Sequence, residues 1–158
     1  MSDNTAFQPP RWLRNRHLQT LWPALMRRRN RLTWRSHCLE LADGDCLELL
    51  WGPPKDGPLV VLLHGLGGCV ESGYIGGLAS RLSGIGMQPV VMHFRGVGIT
   101  NRLDRFYHAG AIEDVQAVID HLKATAPQQP IAAVGFSLGG SMLLNWLGER
   151  GRAAEIQA

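Results

Sequence analysis

The chain has 158 residues, of which 45% are hydrophobic and 18% are charged, and it carries a formal net charge of +3 at pH 7. This length allows one domain with a real core and is too short for two, and so small a net charge argues against a dedicated nucleic-acid binder. The three cysteines contain no C-x-x-C pair, so a zinc site or disulfide framework is not indicated, and we expect a cytoplasmic protein with reduced thiols.

Residues 1–35 form a basic lead-in to the predicted domain, without a recognisable signal peptide or membrane-spanning run. Eight of the 16 lysine and arginine residues lie between Arg11 and Arg35, where there is no acidic residue. A short helix is expected around His17 to Met26, interrupted by Pro23. The stretch also contains three tryptophans: Trp12, Trp22 and Trp34. Two interpretations stay open, a weak contact with an anionic membrane surface and a solvated arm that packs its tryptophans on the domain; the second is favoured, because charge runs are non-specific signals.

The predicted domain covers residues 36–158 and begins with a β-hairpin. Ser36–Leu41 and Cys46–Trp51 are expected to be strands, because Asp43-Gly44-Asp45 between them is a turn sequence. Leu59–Leu63 is a run of five apolar residues, which is typical of a parallel strand buried on both faces. The remaining elements are predicted from the same kinds of pattern: helices at Ile75–Leu82, Ala111–Lys123 and Gly140–Leu147, and strands at Pro89–Phe94 and Ile131–Val134.

The helix at Ala111–Lys123 is the most clearly amphipathic element. Five apolar residues share one face: Ala111, Val115, Val118, Ile119 and Leu122. Its carboxylates are expected to lie away from that face: Glu113, Asp114 and Asp120. Because strands alternate with helices, the sequence predicts an α/β fold with a mostly parallel sheet that is covered on both sides.

The segment Gly135-Phe136-Ser137-Leu138-Gly139 has the form G-x-S-x-G. A strand is predicted before it and a helix after it, which is the setting of a nucleophile elbow. We expect Gly135 and Gly139 to make room for a strained turn with Ser137 at its apex, as the candidate nucleophile. The alternative is that Ser137 merely begins a helix, but His64-Gly65 after an upstream strand favours the elbow.

A second loop, His64-Gly65-Leu66-Gly67-Gly68, follows the predicted strand Leu59–Leu63. Ligands bind beyond the carboxyl ends of strands in open α/β sheets, and in this architecture such a loop supplies one amide of the oxyanion hole. The residue after the nucleophile supplies the other amide. The candidates are therefore the backbone N–H groups of Leu66 and Leu138, with His64 and Gly65 forming the loop.

The sequence does not supply an obvious general base for Ser137. Its six histidines, at positions 17, 37, 64, 93, 108 and 121, all precede the serine, whereas the acid and the histidine of such a triad follow it. His93 and His108 lie in a loop that could approach the site, but chain order argues against their recruitment. Glu149 and Glu155 follow Ser137 too closely to complete a normal triad.

Other chemistries have weaker signals. Gly96-Val97-Gly98-Ile99-Thr100-Asn101 nearly matches a dinucleotide fingerprint, but its third glycine is replaced and no apolar-striped helix follows. A phosphate loop and a spaced cluster of metal ligands are also missing from the sequence, so we expect neither a cofactor nor a metal.

These motifs together resemble the YheT-like branch of the α/β-hydrolase superfamily, which includes the ABHD-type esterases and lipases of eukaryotes. The resemblance rests on segments that occur in family order: Asn15–Leu21, Asp43–Asp45, His64–Gly68, Met92–Gly96, Asn101-Arg102, Tyr107–Gly110 and Gly135–Gly140. It implies an α/β-hydrolase fold and a serine hydrolase that acts on carboxylic esters through an acyl-enzyme on Ser137. The substrate would be a small-molecule ester, lipids included, and nucleic acid is not expected as a partner. One departure is Val97–Thr100, which replaces a Cys-Ser-Gly-Glu-like stretch.

Members of this family run to roughly twice this length, as expected of a whole hydrolase domain. The resemblance therefore implies that the chain is the N-terminal half, ending after the elbow helix and before the triad's Asp and His. We expect negligible esterase activity from the chain alone, and self-association through Ile131–Val134 as an uncovered sheet edge. The alternative is a catalytically inactive fragment or an interaction module.

Overall fold

A computed structural model of the chain describes residues 8–26, 32–154 and 156. Parts of the predicted lead-in (1–7 and 27–31), and Glu155, thus lie outside the described residues. The helices are a 3₁₀ helix at Arg11–Leu13, α1 at Arg16–Met26, α2 at Gly73–Gly84, α3 at Ile112–Thr125, α4 at Leu138–Arg150 and a 3₁₀ turn at Gly151–Ala153. The strands are β1 at Arg35–Glu40, β2 at Cys46–Trp51, β3 at Leu59–Leu63, β4 at Gln88–Met92 and β5 at Ile131–Gly135.

The five strands form one sheet in the order β1-β2-β4-β3-β5. β1 and β2 are the predicted antiparallel hairpin, and β2 also pairs in antiparallel fashion with β4. β3 pairs in parallel with both β4 and β5, so it lies at the centre of the parallel part of the sheet. The predicted α/β fold, a mostly parallel sheet with an N-terminal hairpin, is confirmed, and each predicted element lies within three residues of its observed ends.

The strand alternation of β3 divides the core into two layers. Leu59, Val61 and Leu63 pack on the side of α3 and α4. Val60 and Leu62 point to the other face and pack with Ile75 and Ala79 of α2. Because side chains along a strand alternate between faces, a wholly apolar strand can be buried on both sides, and all five residues of β3 are buried.

Strand β5 lies at the edge of the sheet among the described residues. It pairs with β3 on one side, with Leu63 opposite Gly135 at the carboxyl end of the pair. Ile131 is buried, whereas the residues from Ala132 to Gly135 are only partly buried. The sheet edge is therefore where the sequence places it, although self-association through it stays a prediction.

The structure corrects the expectation that Asp114 lies away from the core. Asp114 is buried on α3, together with Val115 and Val118. A carboxylate is tolerated there because Arg95 pairs with it through two hydrogen bonds. An amphipathic pattern classifies residues by type and cannot anticipate a charged partner from elsewhere in the chain.

Two expectations for the lead-in are also wrong. α1 continues to Met26 without an interruption at Pro23, because a proline removes a single helix hydrogen bond and need not end the helix. Trp12 and Trp22 do not pack on the domain; both are exposed and their rings contact each other. Trp34 does pack on the domain, against the α2 side of the core.

Candidate active site

Ser137 occupies the turn between β5 and α4. Its backbone angles are φ 52° and ψ −114°, and it is the one non-glycine residue with positive φ among the described residues. Such a conformation costs on the order of 1–3 kcal/mol, so the surrounding structure must impose it. The side chain is exposed. The turn therefore holds a serine hydroxyl outward at the carboxyl edge of the parallel strands.

Two glycines allow this turn to close. A Cβ at Gly135 would lie 2.5 Å from the carbonyl oxygen of Gly139, and one at Gly139 would lie 2.6 Å from the carbonyl oxygens of Leu63 and His64. Both distances are far below van der Waals contact. The start of α4 can approach β3 and β5 this closely only because both residues lack side chains.

The loop after β3 runs directly beside Ser137. The Phe136 N–H donates to the Leu63 carbonyl oxygen at 3.0 Å, which holds the two turns side by side at the sheet edge. A Cβ at Gly65 would lie 3.4 Å from Cβ of Ser137. The structure thus brings together the two segments that the sequence nominates for the oxyanion hole.

The backbone N–H groups flanking Leu66 are accepted by neighbouring hydroxyls. Gly65 donates to the Tyr74 hydroxyl at 2.9 Å, and Gly67 donates to the Tyr107 hydroxyl at 3.3 Å. Among the described residues, the Leu66 N–H has no acceptor. This amide is therefore an unused donor in the loop whose Gly65 lies beside Ser137. Tyr74 and Tyr107 are contributors to the loop that the sequence analysis did not identify as such.

Leu138, the other nominated donor, is the first residue of α4. N–H groups of a helix's first turn have no intrahelical acceptor, and the helix dipole adds partial positive charge there. The Gly139 N–H is accepted by the Phe136 carbonyl oxygen at 2.9 Å. Among the described residues the Leu138 N–H, directly after Ser137, likewise has no backbone acceptor.

His64 holds its own loop, in agreement with the sequence analysis. Its ring is buried, its Nδ1–H donates to the Gly65 carbonyl oxygen at 2.7 Å, and its Nε2 faces the Phe94 N–H at 3.4 Å. Burial, with a smaller effect from the nearby His93, lowers the pKa of His64. Because both ring nitrogens are engaged and the ring stays neutral, His64 is not placed to accept the proton of Ser137.

His93 also serves the loop and does not face the serine. Its Nδ1–H donates to Oε2 of Glu48 at 3.0 Å, which leaves Nε2 to accept the Val70 N–H at 2.9 Å. A Cβ at Gly98 would overlap the Glu48 carboxylate, so this glycine of the near-fingerprint segment closes over the pair. The Glu48–His93 pair was not predicted, because its members are 45 residues apart and share no local pattern.

His108, which like His93 lies in a loop that could approach the site, is exposed. Its Nδ1 accepts a hydrogen bond from the Gly110 N–H at 3.1 Å. Among the described residues, no histidine forms a hydrogen bond with the hydroxyl of Ser137. Likewise, no group of three or more potential metal ligands is found in the part of the chain that the structure describes.

Comparison with known proteins places this geometry in a family. The family of the alpha/beta hydrolase fold matches residues 58–154, which contain β3, the loop after it and the turn at Ser137. The chain belongs to the α/β-hydrolase family.

Curated relatives within this family include bacterial and animal proteins. The chain is 40% identical to "Putative esterase YheT" of Escherichia coli (strain K12), over 99% of the chain and 48% of that protein. It is 30% identical to "Phospholipase ABHD3" of Homo sapiens, over 96% of the chain and 40% of that protein. The resemblance to the YheT-like and ABHD-type branch is confirmed, and the chain spans about half the length of the curated relatives it matches.

Solved structures give the same fold. The esterase Pf2001 of Pyrococcus furiosus is 22% identical with a TM-score of 0.67, over 95% of this chain and 55% of that one. A cold-adapted esterase from an Arctic intertidal metagenomic library is 27% identical with a TM-score of 0.62, over 79% of this chain and 59% of that one. The described α/β-hydrolase fold therefore corresponds to part of each of these chains.

A buried ionic cluster supports the loops of this hydrolase fold. Arg95 is buried and donates two hydrogen bonds to Asp114, Nε to Oδ2 at 2.9 Å and Nη2 to Oδ1 at 2.6 Å. Its Nη1 donates to Asp43 at 2.8 Å and to Asp45 at 3.1 Å. The guanidinium thus joins the β1–β2 turn to α3 across the loop that follows β4.

Two carboxylates of this cluster, Asp43 and Asp45, stay ionised. Burial alone would raise the pKa of Asp45, but hydrogen bonds from the Arg102 and Cys46 N–H groups, and from Arg95, outweigh it and hold the pKa below its ordinary value. The pKa of Asp43 is lowered in the same way: hydrogen bonds from the Asp45 N–H and from Arg95 outweigh burial. The sequence Asp43-Gly44-Asp45 predicts a turn, but this function of its side chains depends on Arg95, which is distant in the chain.

Residues 96 and 98–106 curl around an open cavity of about 400 Å³. Arg105 fastens this segment to Asp43 and Glu113. Phe106 at its end is 80% exposed, and Leu66 in the loop beside Ser137 is 78% exposed.

The described helices include none with the length and apolar character needed to cross a bilayer.

Proposed function

We propose that this chain carries the nucleophile and the oxyanion hole of a serine hydrolase that acts on carboxylic esters. The observation that carries the proposal is the exposed Ser137 with φ 52° beside a loop whose Leu66 N–H has no acceptor among the described residues. Membership of a family with esterase-like relatives agrees with it.

In the proposed reaction the Ser137 hydroxyl oxygen attacks the ester carbonyl carbon, and a general base takes its proton. The carbonyl oxygen becomes an oxyanion that accepts hydrogen bonds from the Leu66 and Leu138 amides. Collapse of this intermediate breaks the bond to the alcohol, which leaves with the proton, and water then hydrolyses the acyl-enzyme. Loss of one oxyanion donor would cost about 3–4 kcal/mol of transition-state stabilisation.

The proposed substrate has an apolar acyl or alcohol group. Leu66, in the loop beside Ser137, is a large apolar side chain that is 78% exposed. Exposed apolar surface beside a nucleophile favours a lipid-like ester over a polar one. The phospholipase named among the relatives is consistent with this substrate class.

The general base is the missing part of the proposal. His64 and His93 use both ring nitrogens within the fold, and α/β-hydrolases place the acid and the histidine after the nucleophile in the chain. We therefore expect the chain by itself to turn esters over only slowly, at the residual level that an oxyanion hole sustains without a base.

A fluorophosphonate probe tests the nucleophile directly, because it forms a covalent adduct with an activated serine. After incubation, peptide mass spectrometry is expected to locate the adduct on Ser137. Ser137→Ala should abolish it. Ser141→Ala is the matched control, because Ser141 is an exposed serine in the first turn of α4, and this variant should label like the wild type.

An adduct on another residue, or none even after prolonged exposure to excess probe, would contradict the proposed nucleophile. Hydrolysis of p-nitrophenyl butyrate reports separately on the base. Fast turnover that Ser137→Ala removes would support the nucleophile and contradict the expectation that the chain lacks a base.

The alternative, an interaction module without catalysis, has one observation in its favour. β5 leaves a sheet edge without a strand partner among the described residues, and such an edge can accept a strand from another chain. Strand pairing between the β5 edge and a partner protein, together with the absence of an adduct on Ser137, would favour this alternative.

A further inference from the structure

A second surface lies on the N-terminal segment, outside the residues proposed for ester hydrolysis. We call it the tryptophan face; its four large apolar side chains are between 39% and 59% exposed: Trp12, Leu18, Leu21 and Trp22. None of them belongs to the side chains that pack in or against the two described layers of the core. A cluster of this kind is costly in water and indicates that another surface covers it.

The tryptophan face is formed by the helical geometry of this segment. Leu18, Leu21 and Trp22 are three and four residues apart, so they share one side of α1. The Trp12 ring packs edge-on against Trp22, with 5.0 Å between centroids, and so extends the same surface.

Hydrogen bonds hold the two parts of the segment together. The Asn15 side chain accepts the His17 N–H at 2.8 Å at the start of α1. The Gln19 side-chain amide donates to the Leu13 carbonyl oxygen at 2.9 Å, which ties the 3₁₀ helix to α1. The face is therefore built before any partner arrives, which reduces the ordering cost of binding.

The described segment that carries the tryptophan face, residues 8–26, contains arginines and no acidic residue. Arg11, Arg14 and Arg16 are exposed, and none forms an ion pair with a carboxylate among the described residues. The sequence has no acidic residue between Asp3 and Glu40. A partner that covers this face must therefore offer apolar contact and negative charge together.

An anionic bilayer offers apolar contact and negative charge together, at the depth where a tryptophan side chain has its lowest free energy. Indole rings lie at the boundary between headgroups and acyl chains, and arginine side chains reach outward to phosphates. A short segment with three exposed arginines gives weak binding that depends on salt and lipid charge.

We propose that the tryptophan face docks on anionic lipid surfaces, with α1 lying in the plane of the interface. The proposal does not depend on Ser137 being a nucleophile. It commits to lipid because the face combines amphipathic spacing, paired tryptophans and arginines that have no carboxylate partner among the described residues.

Sedimentation with vesicles tests the proposal. At low salt, phosphatidylcholine vesicles with about 30% phosphatidylglycerol should bind the chain roughly tenfold more tightly than vesicles of phosphatidylcholine alone. This difference in affinity should shrink at about 0.5 M salt. Replacing Trp12 and Trp22 by Ala together should weaken binding about tenfold or more, through lost apolar burial. Replacing Arg11, Arg14 and Arg16 by Gln should reduce the preference for phosphatidylglycerol without abolishing it, because the sequence retains five arginines between residues 27 and 35.

Ile85→Ala is the matched control, because Ile85 is also a large exposed apolar residue but lies at the end of α2. It should bind vesicles like the wild type. An unchanged thermal unfolding transition shows that a variant is folded, and this is expected because Trp12 and Trp22 do not pack on the core.

Equal binding to neutral and anionic vesicles would overturn the proposal, as would full binding by the double tryptophan variant. Absence of vesicle binding by the wild type would also overturn it. An oligomer that the double variant dissociates, without vesicle binding, would assign the tryptophan face to a second copy of the chain instead.

Discussion

At the scale of single residues, the turn at Ser137 depends on two neighbouring glycines, Gly135 and Gly139, which have no side chain. The strained serine is retained because β3, the loop after it and the start of α4 leave no other path for the backbone. Gly139 lies closest to β3, and any side chain there would press on two carbonyl oxygens. The same helix contains Gly148, around which a Cβ would meet nothing within 4 Å.

Gly139→Ala should therefore destabilise the fold by about 2 kcal/mol or more, because the added methyl group forces α4 away from β3. Gly148→Ala should stabilise it by about 0.5–1 kcal/mol, because alanine is the better helix former. Urea unfolding of both variants checks the difference. Equal stabilities would contradict the close approach of α4 to β3.

At the scale of elements, the Arg95 cluster connects pieces that the sheet alone does not join. The β1–β2 turn supplies Asp43 and Asp45, α3 supplies Asp114, and Arg95 follows β4. A buried guanidinium with charged partners is strongly destabilised when one partner is removed, because the remaining charge is left without compensation. The cluster also positions the segment that leads to Tyr107.

Acid should weaken this cluster. The pKa values of Asp43 and Asp45 are lower in the folded chain than in the unfolded chain, so the unfolded state binds more protons and stability is lost as pH falls through the folded values. The free energy of unfolding should hold between about pH 7 and 5 as far as these groups are concerned, and decline below about pH 4.

Asp45→Asn should lower stability at pH 7 by about 1–3 kcal/mol and make the decline below pH 4 shallower. Asp120→Asn, at an exposed carboxylate of α3, is the control and should leave the acid profile unchanged. Urea titrations at several pH values give both quantities. An Asp45→Asn profile parallel to the wild type would contradict the assignment.

At the scale of the whole molecule, the described fold has apolar surface that no other described residues cover. β5 has one sheet partner among the described residues, and Leu144 on α4 is largely exposed. Exposed strand edges pair readily with other strands. The tryptophan face is a separate surface, and the partner proposed for it is an anionic lipid surface.

The chain should accordingly self-associate as its concentration rises, in size-exclusion chromatography with light scattering. The double replacement of Trp12 and Trp22 by Ala should leave this association in place, because it arises at the β5 edge. A monodisperse monomer at moderate concentration would refute the prediction.

Periodicity predicted the strands and helices well because each pattern reflects burial that neighbouring residues share. β3 is apolar throughout and is buried throughout, and α3 packs through the predicted apolar residues. The same reasoning misplaced Asp114, since its burial depends on Arg95, 19 residues away. The same reasoning also misplaced Trp12 and Trp22, because large apolar side chains next to a domain are expected to pack against its core.

The strands, the helices and the strained turn at Ser137 follow from the amino-acid sequence itself, because apolar runs and glycine spacing act over a few residues. The order of the strands in the sheet does not, because it depends on pairing between distant segments. Only the tertiary structure decided which loop amide has no acceptor and where the histidines point. Those outcomes depend on Tyr107, 40 residues from Gly67, and on His93, 23 residues from Val70. Hydrogen bonds over such separations form only when the folded sheet brings the partners together, so they leave no periodic trace along the chain.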